Sequence, residues 1–164
     1  MTAWAPVTLD PIGVIRSDHQ TAAGTPIQPR YAEQCEGQVI VEPGFEEALE
    51  DIEGFDRIWL IYLLDRAGDF RPRIIPYRDI REHGLFATRS PCRPNPIGLS
   101  VVQLVARNRN VLQVRGIDVL DGTPLIDIKP YVPAFDAYPE SKAGWLDEGR
   151  SERTLADDRF HEPG

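Results

Sequence analysis

The chain has 164 residues and a formal charge of −8, from 18 Lys+Arg against 26 Asp+Glu. That length makes one domain, able to bury a core without staples, and 41% hydrophobic with 27% charged residues excludes a disordered chain. No apolar run approaches the roughly 18 residues of a membrane-crossing helix, and Cys35 and Cys92 make neither a disulfide framework nor a zinc site. Met1 to Pro11 carries neither a basic flank nor an apolar run, so no secretory signal is expected and the expected compartment is the cytoplasm.

In chain order, the pattern predicts strands at Ile12–Arg16 and Gln38–Glu42. Phe45, Ala48, Leu49 and Ile52 fall at i, i+3, i+4 and i+7, which predicts a helix of about two to three turns ending before Gly54. Arg57–Leu64 is apolar through Ile58-Trp59-Leu60-Ile61-Tyr62-Leu63-Leu64 and reads as a strand buried on both faces, with a buried helix as the alternative that pattern alone leaves open. Further strands are predicted at Arg73–Tyr77, Leu85–Thr88, Leu99–Ala106, Val111–Ile117 and Pro124–Ile128. Arg107-Asn108-Arg109-Asn110 reads as a hairpin turn, and Asp121-Gly122 as a second hairpin signal. The 15 prolines, about twice the usual ~5%, favour short strands and ordered loops. Closely spaced strands suggest a barrel or sandwich. No Gly-rich strand-to-helix turn supports a dinucleotide fold. Beyond Pro133 apolar density falls, and the last residues read as a partly ordered, charged tail.

The net charge hides an asymmetry. Residues 1–56 carry 2 basic and 11 acidic side chains, residues 57–115 carry 11 and 4, and residues 116–164 carry 5 and 11. All basic residues of the middle segment are arginine, whose planar fork grips phosphate or carboxylate at two points. An overall charge of −8 argues against a polyanionic partner, whereas the clustered arginines argue for one.

Three segments carry candidate chemistry. Gly84 to Ser100 packs three prolines, two arginines, hydroxyls and Asn95 into a rigid irregular loop, the kind of preorganised scaffold a binding site needs. Asp127, Lys129 and Tyr131 alternate along an extended run and share one face, opposite Ile126 and Ile128. They form either a polar site or the wet face of an edge strand. Pro26-Ile27-Gln28-Pro29-Arg30 pins an amide between prolines. His19, His83 and His161 show no metal-ligand spacing, so no metal is expected, and Cys92 reads as a small core filler.

These segments, taken in order, resemble the TrmO/TsaA-like family of S-adenosylmethionine-dependent tRNA methyltransferases. The resemblance rests on Gly13-Val14-Ile15-Arg16-Ser17, Gln28-Pro29, Glu53-Gly54-Phe55 with Trp59, Phe86-Ala87-Thr88-Arg89-Ser90, Arg93-Pro94-Asn95-Pro96-Ile97-Gly98, Asp121-Gly122-Thr123-Pro124 and Asp127-Ile128-Lys129-Pro130-Tyr131. It covers roughly residues 8–138 and stops short of the further C-terminal domain of longer bacterial members. It implies a mainly β fold, a single-sheet antiparallel β-barrel with one or two short helices, over residues 1–138, followed by a tail over 139–164. It also implies a homodimer and transfer of methyl to the exocyclic amine of threonylcarbamoyl-adenosine beside the tRNA anticodon.

By motif position, the resemblance puts Gln28, Pro29, Arg30, Asp65, Arg66, Arg89, Leu99, Asp121, Gly122, Thr123 and Pro124 at the S-adenosyl-L-methionine site. Many relatives carry histidine where this chain has Asp65. The reaction is a direct displacement at the sulfonium methyl, so alignment and desolvation are the protein's main tasks. A carbamoylated amine is a poor nucleophile and must lose its proton. Asp127 is the first candidate acceptor and Asp118 the second. Lys129 and Tyr131 would orient base or donor, and Arg89, Arg93 and Asn95 would hold donor carboxylate or RNA. Two other readings compete: a methyltransferase for a small molecule or another nucleoside, and a non-catalytic barrel that senses the donor or docks on RNA.

Overall fold

The computed structural model describes residues 4–161; residues 1–3 and 162–164, the outer ends of the expected barrel domain and tail, lie outside the described residues. Period-two alternation of buried side chains organises the fold. It comprises β1 (Gly13–Ser17), β2 (Glu36–Val41), β3 (Arg57–Leu63), β4 (Arg73–Ile74), β5 (His83–Gly84), β6 (Ile97–Asn108), β7 (Val111–Arg115) and β8 (Thr123–Pro130), with one α-helical turn, α1 (Pro133–Asp136). Six strands close into a barrel in the order β1-β2-β7-β6-β3-β8, every pair antiparallel. The fold is mainly β, with a single-sheet barrel as its main body.

Inward positions fill the barrel. Ile15, Val39, Ile58, Leu60, Val102, Leu112 and Leu125 have no measurable exposure. On β3 only the Ile58, Leu60 and Tyr62 parity is buried, while Trp59, Ile61 and Leu63 are half-exposed. The expectation of burial on both faces is therefore corrected: the apolar outer face is real, but no layer of this chain covers it fully. Gly98 faces Tyr62 across the β3–β6 ladder, and a Cβ there would lie 2.0 Å from the tyrosine ring. Only glycine lets that ring lie flat on the strand.

Four local expectations are corrected. The predicted helix over Phe45–Ile52 is two 3-10 segments, Pro43–Leu49 and Ile52–Gly54, separated by Asp51 at φ 66°. So short a segment lacks an α-helical nucleus, and it buries only Leu49. Leu85–Thr88 is a 3-10 turn rather than a strand, because Thr88 Oγ1 donates to the Leu85 carbonyl at 2.7 Å and competes with ladder pairing. Of Arg73–Tyr77 only β4 pairs, with β5, and Pro76 cannot donate to a ladder. Asp121-Gly122 makes a tight turn, closed by Thr123 N–H to Leu120 O at 3.3 Å with Gly122 at φ 79°. It joins no hairpin: β7 pairs with β2 and β6, whereas β8 pairs with β1 and β3. The Arg107–Asn110 turn does join β6 to β7.

A second, smaller core lies beyond one end of the barrel, where Ile74, Leu85, Cys92 and Phe160 pack with Tyr77. Phe160 comes from the segment expected to be a partly ordered tail. Backbone bonds stitch that segment to the loops: Ile27 N–H to Thr154 O at 3.0 Å, Gly24 N–H to Ala156 O at 3.0 Å and Gly68 N–H to Phe160 O at 2.9 Å. Asp79 anchors it further. Its carboxylate, fully enclosed, meets His83 Nε2 at 2.7 Å and Arg150 NH1 at 2.7 Å.

Candidate active site

Between the barrel end and the second core lies a cavity of about 890 Å³, within the range of small-molecule sites. Five segments build its walls. Gln28 enters from its proline-flanked loop, and its Oε1 accepts a 2.7 Å bond from Arg89 NH1. Arg89 is an exposed side chain on a buried backbone, since its neighbours Thr88 and Ser90 are only 8% and 6% exposed. Arg93 locks that loop by donating from NH1 to Thr88 O at 2.9 Å and Ser90 O at 3.3 Å. Opposite, Arg66 donates from NH2 to Asp121 O at 2.9 Å and Thr123 Oγ1 at 3.0 Å, with Asp65 Oδ1 3.4 Å from its Nε. Leu99, 50% exposed, borders the same space.

The floor holds a chain of hydroxyls ending in a carboxylate. Tyr62 Oη lies 2.9 Å from Ser100 Oγ, and Ser100 Oγ donates to Asp118 Oδ1 at 2.6 Å. Ser100 is 1% exposed. Because its proton goes to the carboxylate, Tyr62 must donate to Ser100. Burial pushes the Asp118 carboxyl up to about 7, although the Ser100 hydroxyl, its own backbone N–H and the Arg89 charge hold it down. Burial and the Asp118 charge likewise push the Tyr62 hydroxyl above its ordinary range. Asp118 is therefore a carboxyl near neutrality in a cavity wall, a common arrangement for proton transfer.

The cavity brings together Gln28, Asp65, Arg66, Arg89, Arg93, Leu99, Asp118 and Thr123. The other expected site residues lie outside its lining. Pro29 and Arg30 start a 3-10 turn, and Arg30 pairs with Glu33 at 3.2 Å. Asp121 instead braces the turn, accepting from Ser17 N–H at 3.1 Å with Arg16 3.5 Å away, and Gly122 and Pro124 complete that turn and the start of β8. Asn95 is exposed in the loop before β6. Asp127 and Lys129 pair at 3.0 Å, and Tyr131 packs edge-on to Trp59 at 5.8 Å. A bulge between Ile61 and Tyr62 sets Asp127 and Lys129, opposite Ile61 and Trp59, on the outer face of β8, and Tyr131 follows just past the strand's end.

Several lining residues escaped the sequence reading. Tyr62 had a signal, as a hydroxyl on the buried parity of an apolar strand, and so did Ser100, which backs Tyr62 and Asp118 from behind the lining. Tyr31, Arg78, Trp145, Phe160 and His161 had little. Trp145 stacks on His83 at 4.7 Å and donates Nε1–H to Ala87 O at 2.8 Å, a contact 58 residues apart in sequence.

The arginines also sort themselves. Arg107, Arg109 and Arg115, around the β6–β7 hairpin, pair with Glu53, Glu46 and Glu36. Arg78, Arg89 and Arg93 line the cavity, and among the described residues no carboxylate pairs with them. Among the described residues no cluster of His, Cys, Asp and Glu could hold a metal ion, and no helix is long and apolar enough to cross a membrane.

The tRNA-methyltransferase O N-terminal domain model matches residues 14–137. The chain belongs to this family. A probable S-adenosyl-L-methionine-binding protein of Pyrococcus abyssi (strain GE5 / Orsay) is 49% identical over 152 residues, 92% of this chain and 83% of that protein. The tRNA (adenine(37)-N6)-methyltransferase of Escherichia coli (strain K12) is 34% identical over 144 residues, 82% of this chain and 61% of that enzyme. The crystal structure of TrmO from Pseudomonas aeruginosa superposes with a TM-score of 0.73 at 38% identity, covering 86% of this chain and 63% of that one. Against these two TrmO-family proteins the chain thus spans just under two thirds of their length.

Proposed function

We propose that this chain transfers a methyl group from S-adenosyl-L-methionine to the exocyclic amine of threonylcarbamoyl-adenosine beside a tRNA anticodon, in the cytoplasm. One observation carries the reading: a TrmO-family barrel gathers Gln28, Arg66, Arg89, Leu99 and Thr123 around a cavity with Asp118 in its wall. The chemistry of those residues suits the donor. A guanidinium with an amide beside it suits an α-carboxylate, Asp65 and Asp118 suit a cationic centre, and Ile27, Leu64 and Val119 suit an adenine ring.

The bound donor supplies an electrophilic methyl on a sulfonium. The chain's own groups do the rest. The 2.7 Å bond from Arg89 to Gln28 fixes both side chains before ligand arrives. Asp118, oriented by Ser100, takes the proton that the acceptor amine loses. Asp127 and Lys129, on the outer face of β8, and Tyr131 just beyond it have no direct part in this reading.

A homodimer fits the same face. Cross-strand pairs Trp59–Val101, Ile61–Leu99 and Leu63–Ile97 present an apolar outer surface, with Ile97 42% and Leu99 50% exposed. Its edge carries both signs, Asp127 and Lys129, as a self-complementary contact needs. A second copy there would border the cavity at Leu99. Sedimentation of wild type and Leu99→Glu tests this, the variant running as a monomer.

Mass spectrometry of tRNA nucleosides from cells with and without the protein tests the activity. Loss of one methylated threonylcarbamoyl-adenosine on deletion is the expected result. An unchanged nucleoside profile, with methyl transfer to free nucleosides or metabolites instead, would overturn the tRNA reading.

A further inference from the structure

Two aromatic rings in the cavity wall each carry an arginine on one face. The Arg93 guanidinium sits 5.4 Å from the Phe86 ring centroid, and that of Arg78 sits 5.7 Å from the Tyr31 centroid. All four side chains line the cavity. Phe86 is the more unusual. It is 76% exposed, although its neighbour Leu85 is 2% exposed and Thr88 8%. The backbone that carries it is not loose. Leu85 N–H bonds Pro72 O at 3.0 Å, Thr88 N–H bonds Leu85 O at 2.9 Å, and Trp145 clamps Ala87 O at 2.8 Å. Arg93, in turn, is pinned by the Thr88 and Ser90 carbonyls. A rigid turn thus holds a bare aromatic ring at the cavity with a fixed cation against it.

A large exposed apolar side chain alone means little. An immobilised ring backed by a guanidinium, in a cavity with unpaired arginines, has a specific chemical complement: a flat π-system attached to phosphates. We propose that Phe86 is the stacking platform for the acceptor nucleobase once it leaves its stack, with Arg93 reinforcing the ring from behind. Enzymes that modify a base within folded RNA must first extract it, and an aromatic face repays part of the lost stacking. Of the two rings Phe86 is the more open to an incoming base, 76% exposed against 40% for Tyr31. This inference rests on the tRNA methylation reading.

The test uses the full chain and tRNA carrying unmethylated threonylcarbamoyl-adenosine. Kinetics are measured for wild type, Phe86→Leu and Phe86→Trp, with donor affinity by calorimetry and oligomeric state by sedimentation. Phe86→Leu keeps an apolar side chain but removes the π-face. It is expected to lower kcat/KM for tRNA roughly five- to a hundredfold, within the usual range for losing one base–aromatic stack. Donor Kd and oligomeric state should stay unchanged, and Phe86→Trp should restore kcat/KM. Wild-type kinetics in Phe86→Leu would overturn the platform while leaving the methylation reading intact. A loss explained by weaker donor binding or by dissociation of a dimer would also overturn it. No methyl transfer to tRNA by wild type would overturn both.

Discussion

Arg89 and Gln28 lie 61 residues apart in sequence, yet the guanidinium donates to the amide oxygen at 2.7 Å across the cavity mouth. The bond joins a proline-flanked loop to a proline-stiffened one, so neither side chain needs to search for its geometry. A hydrogen bond to a charged group contributes about 1.5–3 kcal/mol. Gln28→Ala is therefore expected to weaken S-adenosyl-L-methionine binding by roughly tenfold or more, and Arg89→Ala further, because it also removes the cation. Isothermal calorimetry measures both. Undiminished affinity in Arg89→Ala would remove this pair from the donor site.

Asp118 gives the site a pH signature. An unfolded aspartate titrates near ~3.9, whereas the folded carboxyl sits at about 7, because burial outweighs the Ser100 bond. Its folded value is raised, so its stabilising contribution is full below about pH 4 and is lost as pH rises to about 7. Asp118→Asn cannot ionise and escapes that loss. Denaturant melts should show the variant gaining on wild type across that interval, then holding level. Catalysis should run the opposite way. Wild-type turnover is expected to rise with pH through about 7, while Asp118→Asn loses roughly 100-fold or more in kcat. Asp127→Asn, which breaks only the exposed ion pair with Lys129, should stay within about twofold. The reverse ranking would return the role to Asp127.

The contrast between those aspartates shows what the sequence could reveal. Alternation predicted that Asp127, Lys129 and Tyr131 share a face, and Asp127 and Lys129 do pair. It could not say whether that face is inside or outside, because a barrel closes only through pairings distant in sequence, such as Gly13 with Leu125. Asp118 precedes β8 in an irregular segment without periodicity, and only its Ser100 contact reveals its setting. Barrel strands and the proline-rich loop were legible because local spacing and φ restriction act within a few residues. Trp145 and Phe160 were not, because their segment has low apolar density and is held by contacts that span the chain.

Asp79 tests how that segment is fastened. Desolvation would raise its carboxyl, but His83, the Ile80 N–H and Arg150 together hold it well below the ordinary range. Its folded value is depressed, so its contribution is present above about pH 4 and lost as pH falls below it. Asp79→Asn should lower Tm at neutral pH, with the deficit shrinking under acid. Arg150→Gln should loosen residues 144–161 selectively. Limited proteolysis then cuts at Arg153 sooner than in wild type, while the barrel stays intact. Equal protection in the variant would show that Phe160 packing alone holds the segment.

The formal charge of −8 also makes a prediction about RNA. Arginines near the hairpin are already neutralised: Arg107 meets Glu53 at 3.1 Å and the Leu49 carbonyl at 3.0 Å. Of those in the cavity wall, Arg89 is held by Gln28 for the donor, while Arg78 and Arg93 have no carboxylate partner among the described residues and remain available to phosphate. The net charge therefore misleads about the site. Neutralising a phosphate releases counterions, giving about −0.7 to −0.9 in the log–log salt slope per contact. Two such contacts predict a slope of roughly −1.5 to −2 for tRNA binding. Arg78→Ala should reduce it by about one unit. Arg107→Ala should destabilise the β6–β7 end and leave the slope alone. Binding measured from low to high salt decides the point, and a flat response in wild type would mean that these arginines do not meet RNA.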